Sequence, residues 1–270
     1  MRIITMPIIH PLILVKKLLV SSFFSLMILL VFLLDLYYSN SEEVVGMKYQ
    51  TILIDADDTI LDFHTNEQES LRKTFHAYGL EYNDEVYAVY HRHNIALWKA
   101  FEEGKISKEE ILQRRFRNTF DELNYHHVPS TFEEDFQEQL AQGGYMLPHA
   151  YDVIVELSKR ADVYIVTNGV ASTQSSRLDK SGLMPYLKGV FISEEIGYQK
   201  PHREYFMYIK EKIGYTDEST IIIGDSLSSD IQGGINANID TCWYDPYYKE
   251  NTKPCTYVIH DIRELLEILK

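Results

Sequence analysis

Short runs of strand-favouring residues recur along the chain from Met47 onward, and most of them are followed by segments with helical spacing. Strands that alternate with helices predict a mainly parallel sheet covered by helices on both faces. In such a sheet, ligands bind beyond the carboxyl ends of the strands. We therefore expect an α/β fold. The predicted strands are Thr51–Asp55, Val163–Thr167, Val190–Ser193, Thr220–Gly224, Asp240–Trp243 and Thr256–Ile259.

The segment between the first two predicted strands has a different pattern. From Phe63 to about Pro148 it carries no strand pattern and predicts about four amphipathic helices. Ser107, followed three residues later by Glu110, matches a capping box at the start of one of them. We expect an all-helical subdomain over residues 63–148, inserted where it can close over the ligand site. The predicted core consists of residues 47–62 and 149–270.

Residues 1–46 differ from the rest of the chain. The uncharged run 18–34 follows Lys16 and Lys17 and is slightly shorter than the ~20 apolar residues of a spanning helix. No small-x-small site follows the run, which disfavours a cleaved signal peptide. Because the composition changes abruptly at Met47, we favour an upstream-start or dispensable extension on a cytoplasmic protein. The alternative is a membrane anchor through residues 18–34, with the following domain outside the cytoplasm.

Composition and charge exclude several classes of protein. Of 270 residues, 45% are hydrophobic, and 26 Lys+Arg against 40 Asp+Glu give a formal net charge of −14. This composition is typical of a globular protein, and the acidic surface disfavours binding to a nucleic-acid polymer. A single nucleotide remains a possible ligand. Cys242 and Cys255 match no metal-ligand spacing, so we expect two ordinary thiols, although one bridge between them stays open.

Three acidic residues follow the first predicted strand. Asp55, Asp57 and Asp58 lie in the sequence Asp-Ala-Asp-Asp-Thr, directly after an apolar run. Carboxylates this close raise one another's proton affinity unless a cation compensates. Oxygen ligands alone favour Mg²⁺. The alternative is an ordinary turn, in which aspartate is common.

Polar residues also follow two later strands and precede a predicted helix. Thr167 and Asn168 come after the second strand, where a hydroxyl and backbone N–H groups can hold a phosphoryl oxygen. Lys200 can neutralise both carboxylates and a phosphate. Asp225 and Asp230 follow the fourth strand and can share a cation with the first cluster. Taken singly, these residues also fit a turn, a solvated lysine or a helix cap.

In this order, the four segments resemble the motifs of the haloacid dehalogenase-like hydrolase superfamily. The resemblance covers Met47–Lys270 and rests on DADDTILDF, VTNG, GYQKP and GDSLSSDIQGGINANIDTCWY. These phrases are most similar to the branch that contains bacterial pyrimidine 5'-nucleotidases. The resemblance implies a Rossmann-like core with a helical cap of the C1 type.

The resemblance also implies a role for each motif residue. Asp55 would be the nucleophile that forms an aspartyl-phosphate, and Asp57 would be the acid and base. Thr167 and Asn168 would bind the phosphoryl group. Lys200 would steady the nucleophile and the transferring charge.

The metal implied by the resemblance is Mg²⁺. Its ligands would be Asp55, the backbone carbonyl of Asp57 and Asp225, with Asp230 either a ligand or a supporting residue. The carboxylate of Asp57 separates phosphatases from the dehalogenases that named the superfamily, which lack it. Asp58 stands where many members have glycine.

The expected function is therefore Mg²⁺-dependent hydrolysis of a small phosphorylated metabolite, for which we favour a pyrimidine nucleoside 5'-monophosphate. The alternatives are a phosphatase for sugar phosphates or other metabolites, and a non-catalytic phosphate-binding or membrane-tethered interaction protein. Phe63 and His64 are placed to touch a leaving group. The aromatic residues of the insertion, Trp98 among them, are more typical of a core than of a base-stacking surface. The sequence leaves the oligomeric state open.

Overall fold

A computed structural model describes residues 48–126 and 129–270. The predicted extension over residues 1–46, with its apolar run 18–34, lies outside the described residues. In the described part of the chain, no helix is long and apolar enough to cross a membrane.

One parallel sheet of six strands organises the described residues, in the order β3-β2-β1-β4-β5-β6. Each predicted strand is present, with its ends shifted by no more than one residue. The α/β prediction with a parallel sheet is thus confirmed. The strands are β1 (Thr51–Ile54), β2 (Asp162–Thr167), β3 (Gly189–Ile192), β4 (Thr220–Gly224), β5 (Asp240–Tyr244) and β6 (Tyr257–Ile259).

The central strands β1 and β4 are buried at every position and carry continuous apolar runs after an initial threonine, because both faces of the sheet are covered. Ile52 and Ile54 of β1 pack into the cluster on one face, whereas Leu53 packs into the cluster on the other. Ile221 and Ile222 of β4 divide in the same way. Continuous rather than alternating apolar runs are typical of parallel strands between two layers of helices.

Four of the described helices lie in the predicted insertion, and the other described helices flank the sheet. The helices are α1 (Phe63–Ala77), α2 (Asp84–Glu102), α3 (Lys108–Glu122), α4 (Phe132–Leu140), α5 (Ala150–Leu157), α6 (Ala171–Ser181), α7 (Ser193–Ile196), α8 (Arg203–Ile213), α9 (Gln232–Ala237) and α10 (Leu265–Ile268). A short π-helix, Leu227–Ile231, precedes α9.

Helices α1 to α4 have a core of their own, built largely from aromatic rings. The Phe116 ring packs edge-on against Phe132 and Phe136, with centroids 4.7 and 5.1 Å apart. The predicted capping box is confirmed, because Ser107 and Glu110 bond each other's backbone N–H at the start of α3. The four helices therefore pack on one another as a layer beyond the sheet edge.

The strand order places the functional motifs at one edge. The chain runs outward from β1 through β2 to β3, then returns to the other side of β1 with β4. In such a sheet a crevice opens where the order of strand addition reverses, here between β1 and β4, outside the carboxyl ends of the strands. The residues that follow β1, β2 and β4 therefore meet in one place.

Candidate active site

Asp55 and Lys200 form a buried ion pair at the centre of this edge. Asp55 follows β1 and is 7% exposed, and Lys200 is 1% exposed. The Lys200 ammonium donates to Asp55 Oδ1, to Asp230 Oδ1 at 2.6 Å and to the carbonyl of Val166 at 2.8 Å. Burial works against its charge, but Asp230 and Asp55 outweigh burial and raise the Lys200 pKa. The ammonium is thus held charged between two carboxylates.

Asp55, Asp225 and Asp230 come together at the ends of β1 and β4. One carboxylate oxygen of each lies within 4.8 Å of the others. Burial, with repulsion from Asp230, raises the Asp55 pKa to about 8 against the opposing effect of Lys200. Burial and the charges of Asp55 and Asp230 also raise the Asp225 pKa. Such a set of carboxylate oxygens suits a divalent cation, whose charge would offset both the burial of the carboxylates and their mutual repulsion.

Asp230 and Asp225 are held differently. Asp230 accepts from Lys200 at Oδ1 and from the Ser226 N–H at Oδ2, 3.1 Å away. The bonds of Asp225 lie on its backbone, where its N–H donates to Thr59 Oγ1 at 3.1 Å. A Cβ on Gly224 would lie 2.2 Å from Asp230, so only glycine lets Asp230 reach this position. The carboxylate of Asp225 is therefore less constrained than that of Asp230, which is held between Lys200 and the Ser226 N–H.

Thr167 and Asn168 continue β2 into the site. Asn168 exchanges two hydrogen bonds with the backbone of Lys200, at 2.9 and 3.0 Å, and so fixes the segment that carries the lysine. The Lys200–Pro201 peptide in this segment is cis. Thr167 Oγ1 accepts from the Gly169 N–H at 3.0 Å. The predicted motif residues Asp55, Thr167, Asn168, Lys200 and Asp225 are thus neighbours, although β1 and Lys200 lie far apart in the sequence.

Asp57 points toward two residues that the sequence analysis did not single out. Arg177 Nη1 donates to Asp57 Oδ1, and Gln174 Nε2 donates to Oδ2 at 2.7 Å. Both residues lie on α6, three positions apart on one face. Their spacing after the Thr-Asn-Gly motif was the only signal available, and polar residues at this spacing are common on helices. The side chain of Asp57 therefore lies outside the carboxylate group formed by Asp55, Asp225 and Asp230.

Asp58 occupies a backbone position that explains why glycine is common there. Its φ is +58°, in the left-handed region, where aspartate is tolerated better than most side chains. Its Oδ1 accepts from the His64 N–H at 3.3 Å. Burial and then the charge of Asp57 raise the Asp58 pKa to about 7. Asp58 thus shapes the turn between β1 and α1.

A cavity of about 450 Å³ opens above the ion pair. Its floor is formed by the strand-end residues, and Phe63 and His64 line it as their position predicted. The opposite wall is one face of α2, formed by His91, Asn94, Ile95, Trp98, Lys99 and Glu102. Of the insertion aromatics, Tyr90 and Phe101 are buried, whereas Trp98 also faces this space.

Helices α2 and α3 contact the sheet edge on two sides of the cavity. Ser228 donates to Glu102 at the end of α2. Lys108, at the start of α3, donates to the carbonyl of Gly169 at 2.8 Å and to Ser193 Oγ at 3.1 Å. Burial lowers the Lys108 pKa to about 8. The helical layer is therefore anchored next to the residues that form the floor.

Comparison with known proteins identifies the family of the chain. Residues 49–238 match the haloacid dehalogenase-like hydrolase family. The chain is 42% identical to the HAD-hydrolase YfnB of Bacillus subtilis over 225 residues, 82% of this chain and 96% of YfnB. It is 39% identical to the pyrimidine 5'-nucleotidase PynA of Streptococcus pneumoniae over 227 residues, 83% of this chain and 96% of PynA.

A third relative and a solved structure extend the comparison. The pyrimidine 5'-nucleotidase YjjG of Escherichia coli is 31% identical over 226 residues, 83% of this chain and 99% of YjjG. The crystal structure of YfnB bound to magnesium superposes with a TM-score of 0.79 over 82% of this chain and 99% of that chain. The family resemblance seen in the sequence is confirmed.

Proposed function

The chain belongs to the haloacid dehalogenase-like hydrolase family, and from this premise we propose that it is a Mg²⁺-dependent phosphatase for nucleoside 5'-monophosphates, with a preference for pyrimidines. The coarser part, a hydrolase of this family, follows from the match itself. The metal, the residue roles and the substrate are the proposal.

The buried ion pair between Asp55 and Lys200 is the main support for this function. A carboxylate that is buried beside a cation, at the end of a central strand, suits a nucleophile that an anionic phosphate must approach. Lys200 would offset the repulsion between the two anions. The Thr167 hydroxyl accepts from two N–H groups and keeps its own proton, which suits a phosphoryl oxygen. Asn168 would act by holding the segment that carries Lys200.

The reaction proceeds in two displacements in this proposal. Asp55 attacks phosphorus, the bond from phosphorus to the O5' atom breaks, and Asp57 gives a proton to that oxygen. Water then attacks the aspartyl-phosphate, Asp57 takes a proton from this water, and phosphate leaves with the Asp55 carboxylate restored. Asp57 thus returns to its protonated form at the end of each cycle.

Mg²⁺ fits the oxygen ligands of this site. Asp55 and Asp225 would hold it, together with the backbone carbonyl of Asp57. Asp230 would support Lys200 and the segment after β4, through the Ser226 N–H. When bound, the ion would supply positive charge to the phosphoryl oxygens. The crystal structure of YfnB was solved with magnesium, and that supports the choice of metal.

The substrate proposal rests on the relatives and on the cavity. PynA and YjjG are both named as pyrimidine 5'-nucleotidases. The cavity of about 450 Å³ is large enough for a mononucleotide, and its α2 wall offers Ile95 and the partly exposed ring of Trp98 to a base.

Helices α1 to α4 act as a cap in this proposal. Their contacts through Glu102 and Lys108 close two sides of the space above Asp55. A cap in this place would exclude bulk water and contact the leaving group.

Phosphate release by the full chain with Mg²⁺ tests the function. The substrates are pyrimidine and purine 5'-monophosphates and common sugar phosphates, each assayed beside Asp55→Asn. We expect hydrolysis of pyrimidine monophosphates above the others, and a loss of at least ~10³-fold in Asp55→Asn, which removes the nucleophile but keeps its shape.

Three other outcomes of this assay would contradict different parts of the proposal. A preference for sugar phosphates would keep the mechanism and overturn the substrate. Substantial turnover by Asp55→Asn would overturn the nucleophile. No turnover on any ester, with retained binding of phosphate analogues, would favour a non-catalytic phosphate-binding protein.

A further inference from the structure

We propose that Gln174 and Arg177 of α6 are positioning residues that hold Asp57 in place for its proton transfers. This inference rests on the proposed function, in which Asp57 is the acid and base. It assigns the two residues a part in the reaction that neither the family motifs nor the sequence pattern indicated.

Both carboxylate oxygens of Asp57 are held, one by each residue. Arg177 Nη1 donates to Oδ1, and Gln174 Nε2 donates to Oδ2 at 2.7 Å. Arg177 Nη1 also donates to Gln174 Oε1 at 3.0 Å, so the two residues brace each other. Asp57 is 29% exposed at its side chain, whereas Arg177 is 1% exposed. The carboxylate therefore reaches the cavity from a buried support.

Gln174 also links Asp57 to the proposed phosphate-binding residue. Its Nε2 donates to Thr167 Oγ1 at 2.8 Å as well as to Asp57. A Cβ on Gly169 would lie 2.5 Å from the same Nε2, so the glycine of the Thr-Asn-Gly segment leaves room for this side chain. One amide thus fixes the distance between the acid and the group that would hold the phosphate.

Arg177 is in contact with both connections between the cap and the sheet. Its guanidinium lies 5.3 Å from the ring centroid of Phe63, at the start of α1. Its Nε donates to the carbonyl of Gly143, after the end of α4, at 3.3 Å. The position of Asp57 is therefore tied to the two segments by which the helical layer leaves and returns.

Stability alone does not account for this arginine. Within residues 48–126 and 129–270, Arg177 Nη2 is buried and has no hydrogen-bond partner. A buried cation with an unsatisfied N–H group costs free energy, and buried ion pairs are often no more stabilising than apolar residues of the same volume. Its contact with the acid gives a chemical reason for the charge at this point.

Two substrates separate positioning from a structural role. A nucleoside monophosphate loses an alkoxide, which needs a proton, whereas 2,4-dinitrophenyl phosphate loses a stable phenolate that does not. The ratio kcat/KM covers the steps through departure of the leaving group. General acid catalysis contributes ~10² to 10⁴-fold, so only the first substrate should depend on the placement of Asp57.

The variants are Arg177→Met and Gln174→Ala in the full chain. We expect kcat/KM for the nucleotide to fall ~10²-fold in Arg177→Met and ~10-fold in Gln174→Ala. For dinitrophenyl phosphate we expect a change below ~3-fold in Arg177→Met. Gln174→Ala also removes the bond to Thr167, so it should lower activity on both substrates, but more on the nucleotide. Arg177→Lys, which keeps the charge, should recover part of the loss. Asp57→Asn is the positive control and should show the same division between substrates.

Lys180→Met is the matched negative control. Lys180 lies on the same helix and donates to the carbonyl of Ala141 at 2.7 Å, in the segment that also contains Gly143, but it does not contact Asp57. It should affect both substrates little and equally. Equal losses on the two substrates in the Arg177 and Gln174 variants would overturn the proposal. If Arg177→Met does not fold, Gln174→Ala decides by the same criterion.

Failure of the proposed function is distinguishable from failure of this inference. A wild-type chain that hydrolyses neither substrate contradicts the phosphatase itself. A wild-type chain that hydrolyses a different alkyl phosphate contradicts only the nucleotide preference, and that ester then takes the place of the nucleotide. Wild-type activity with equal losses in the variants contradicts only the roles of Gln174 and Arg177.

Discussion

The floor and the α2 wall of the cavity are built in opposite ways. On the floor, Lys200 and Asp230 are 1% and 0% exposed; the lysine donates three hydrogen bonds and the Asp230 carboxylate accepts two. On the wall, Ile95 is 52% exposed and Lys99 is also exposed. Lys200 and Asp230 thus belong to a closed network, whereas Ile95 and Lys99 present an open surface to the cavity; Asn94, on the same wall, is buried and hydrogen-bonded within the helical layer.

This difference indicates where chemistry and selectivity reside. A buried charge that loses its partner is costly, so a substitution in the floor disturbs its neighbours as well. An exposed side chain on the wall interacts with little except what enters the cavity. We therefore expect substitutions in the floor to abolish reaction, and substitutions in the wall to change binding.

Removal of divalent metal should have the largest effect, because it acts on the floor as a whole. With a chelator, we expect turnover to fall at least ~10³-fold, since a bound ion supplies several kcal/mol of charge stabilisation. Phosphate release before and after addition of Mg²⁺ measures this. Activity that persists without divalent metal would show that Lys200 alone is enough to compensate the charge of the carboxylates.

Lys200→Met should come next. It leaves Asp55 and Asp230 buried without their cation, so we expect kcat to fall at least ~10²-fold and the free energy of unfolding to fall by about 3 kcal/mol. Steady-state kinetics and urea unfolding measure the two effects.

Lys210→Met is the control for loss of a lysine. Lys210 pairs with Asp217 at 2.7 Å with its side chain 46% exposed, so its loss should cost less than about 1 kcal/mol and leave kcat unchanged. A Lys200→Met variant with ordinary kcat would contradict the closed network.

Trp98→Ala tests the wall and should have a smaller effect of a different kind. We expect KM for the preferred nucleotide to rise about 10-fold, with kcat within about 3-fold, because the ring would contact the base and not the phosphorus. Met207→Ala removes a side chain that is 56% exposed on α8 and serves as the control. A fall in kcat with KM unchanged would place Trp98 with the floor residues.

The contact of Lys108, at the start of α3, with the sheet edge should give the smallest effect, a change in stability with pH. Burial lowers the Lys108 pKa from 10.5 to about 8, so between these values the unfolded chain binds more protons than the folded chain. This group therefore adds stability as the pH rises from about 8 to 10.5, by an amount on the order of 1 kcal/mol. Thermal unfolding of wild type and Lys108→Met across this range measures the difference. A parallel pH dependence in the two proteins would contradict it.

Local patterns were enough to predict much of the fold. The apolar runs of β1 and β4 predicted their strands because a strand buried on both faces favours a continuous rather than an alternating apolar run. Ser107 and Glu110 predicted the start of α3 because a capping box uses only neighbours in the sequence. Asp55, Thr167 and Asp225 could be assigned to one site because parallel strands end at a common edge.

The sequence by itself therefore determined the elements, the family and the motif residues at the strand ends. Only the tertiary structure decided which side chains meet away from those ends. Arg177 and Asp57 are 120 positions apart, and Glu102 and Ser228 are 126 apart. Periodicity within one helix shows which residues share a face, but not what that face meets. That depends on how α2 and α6 pack against the sheet edge, where rigid elements converge.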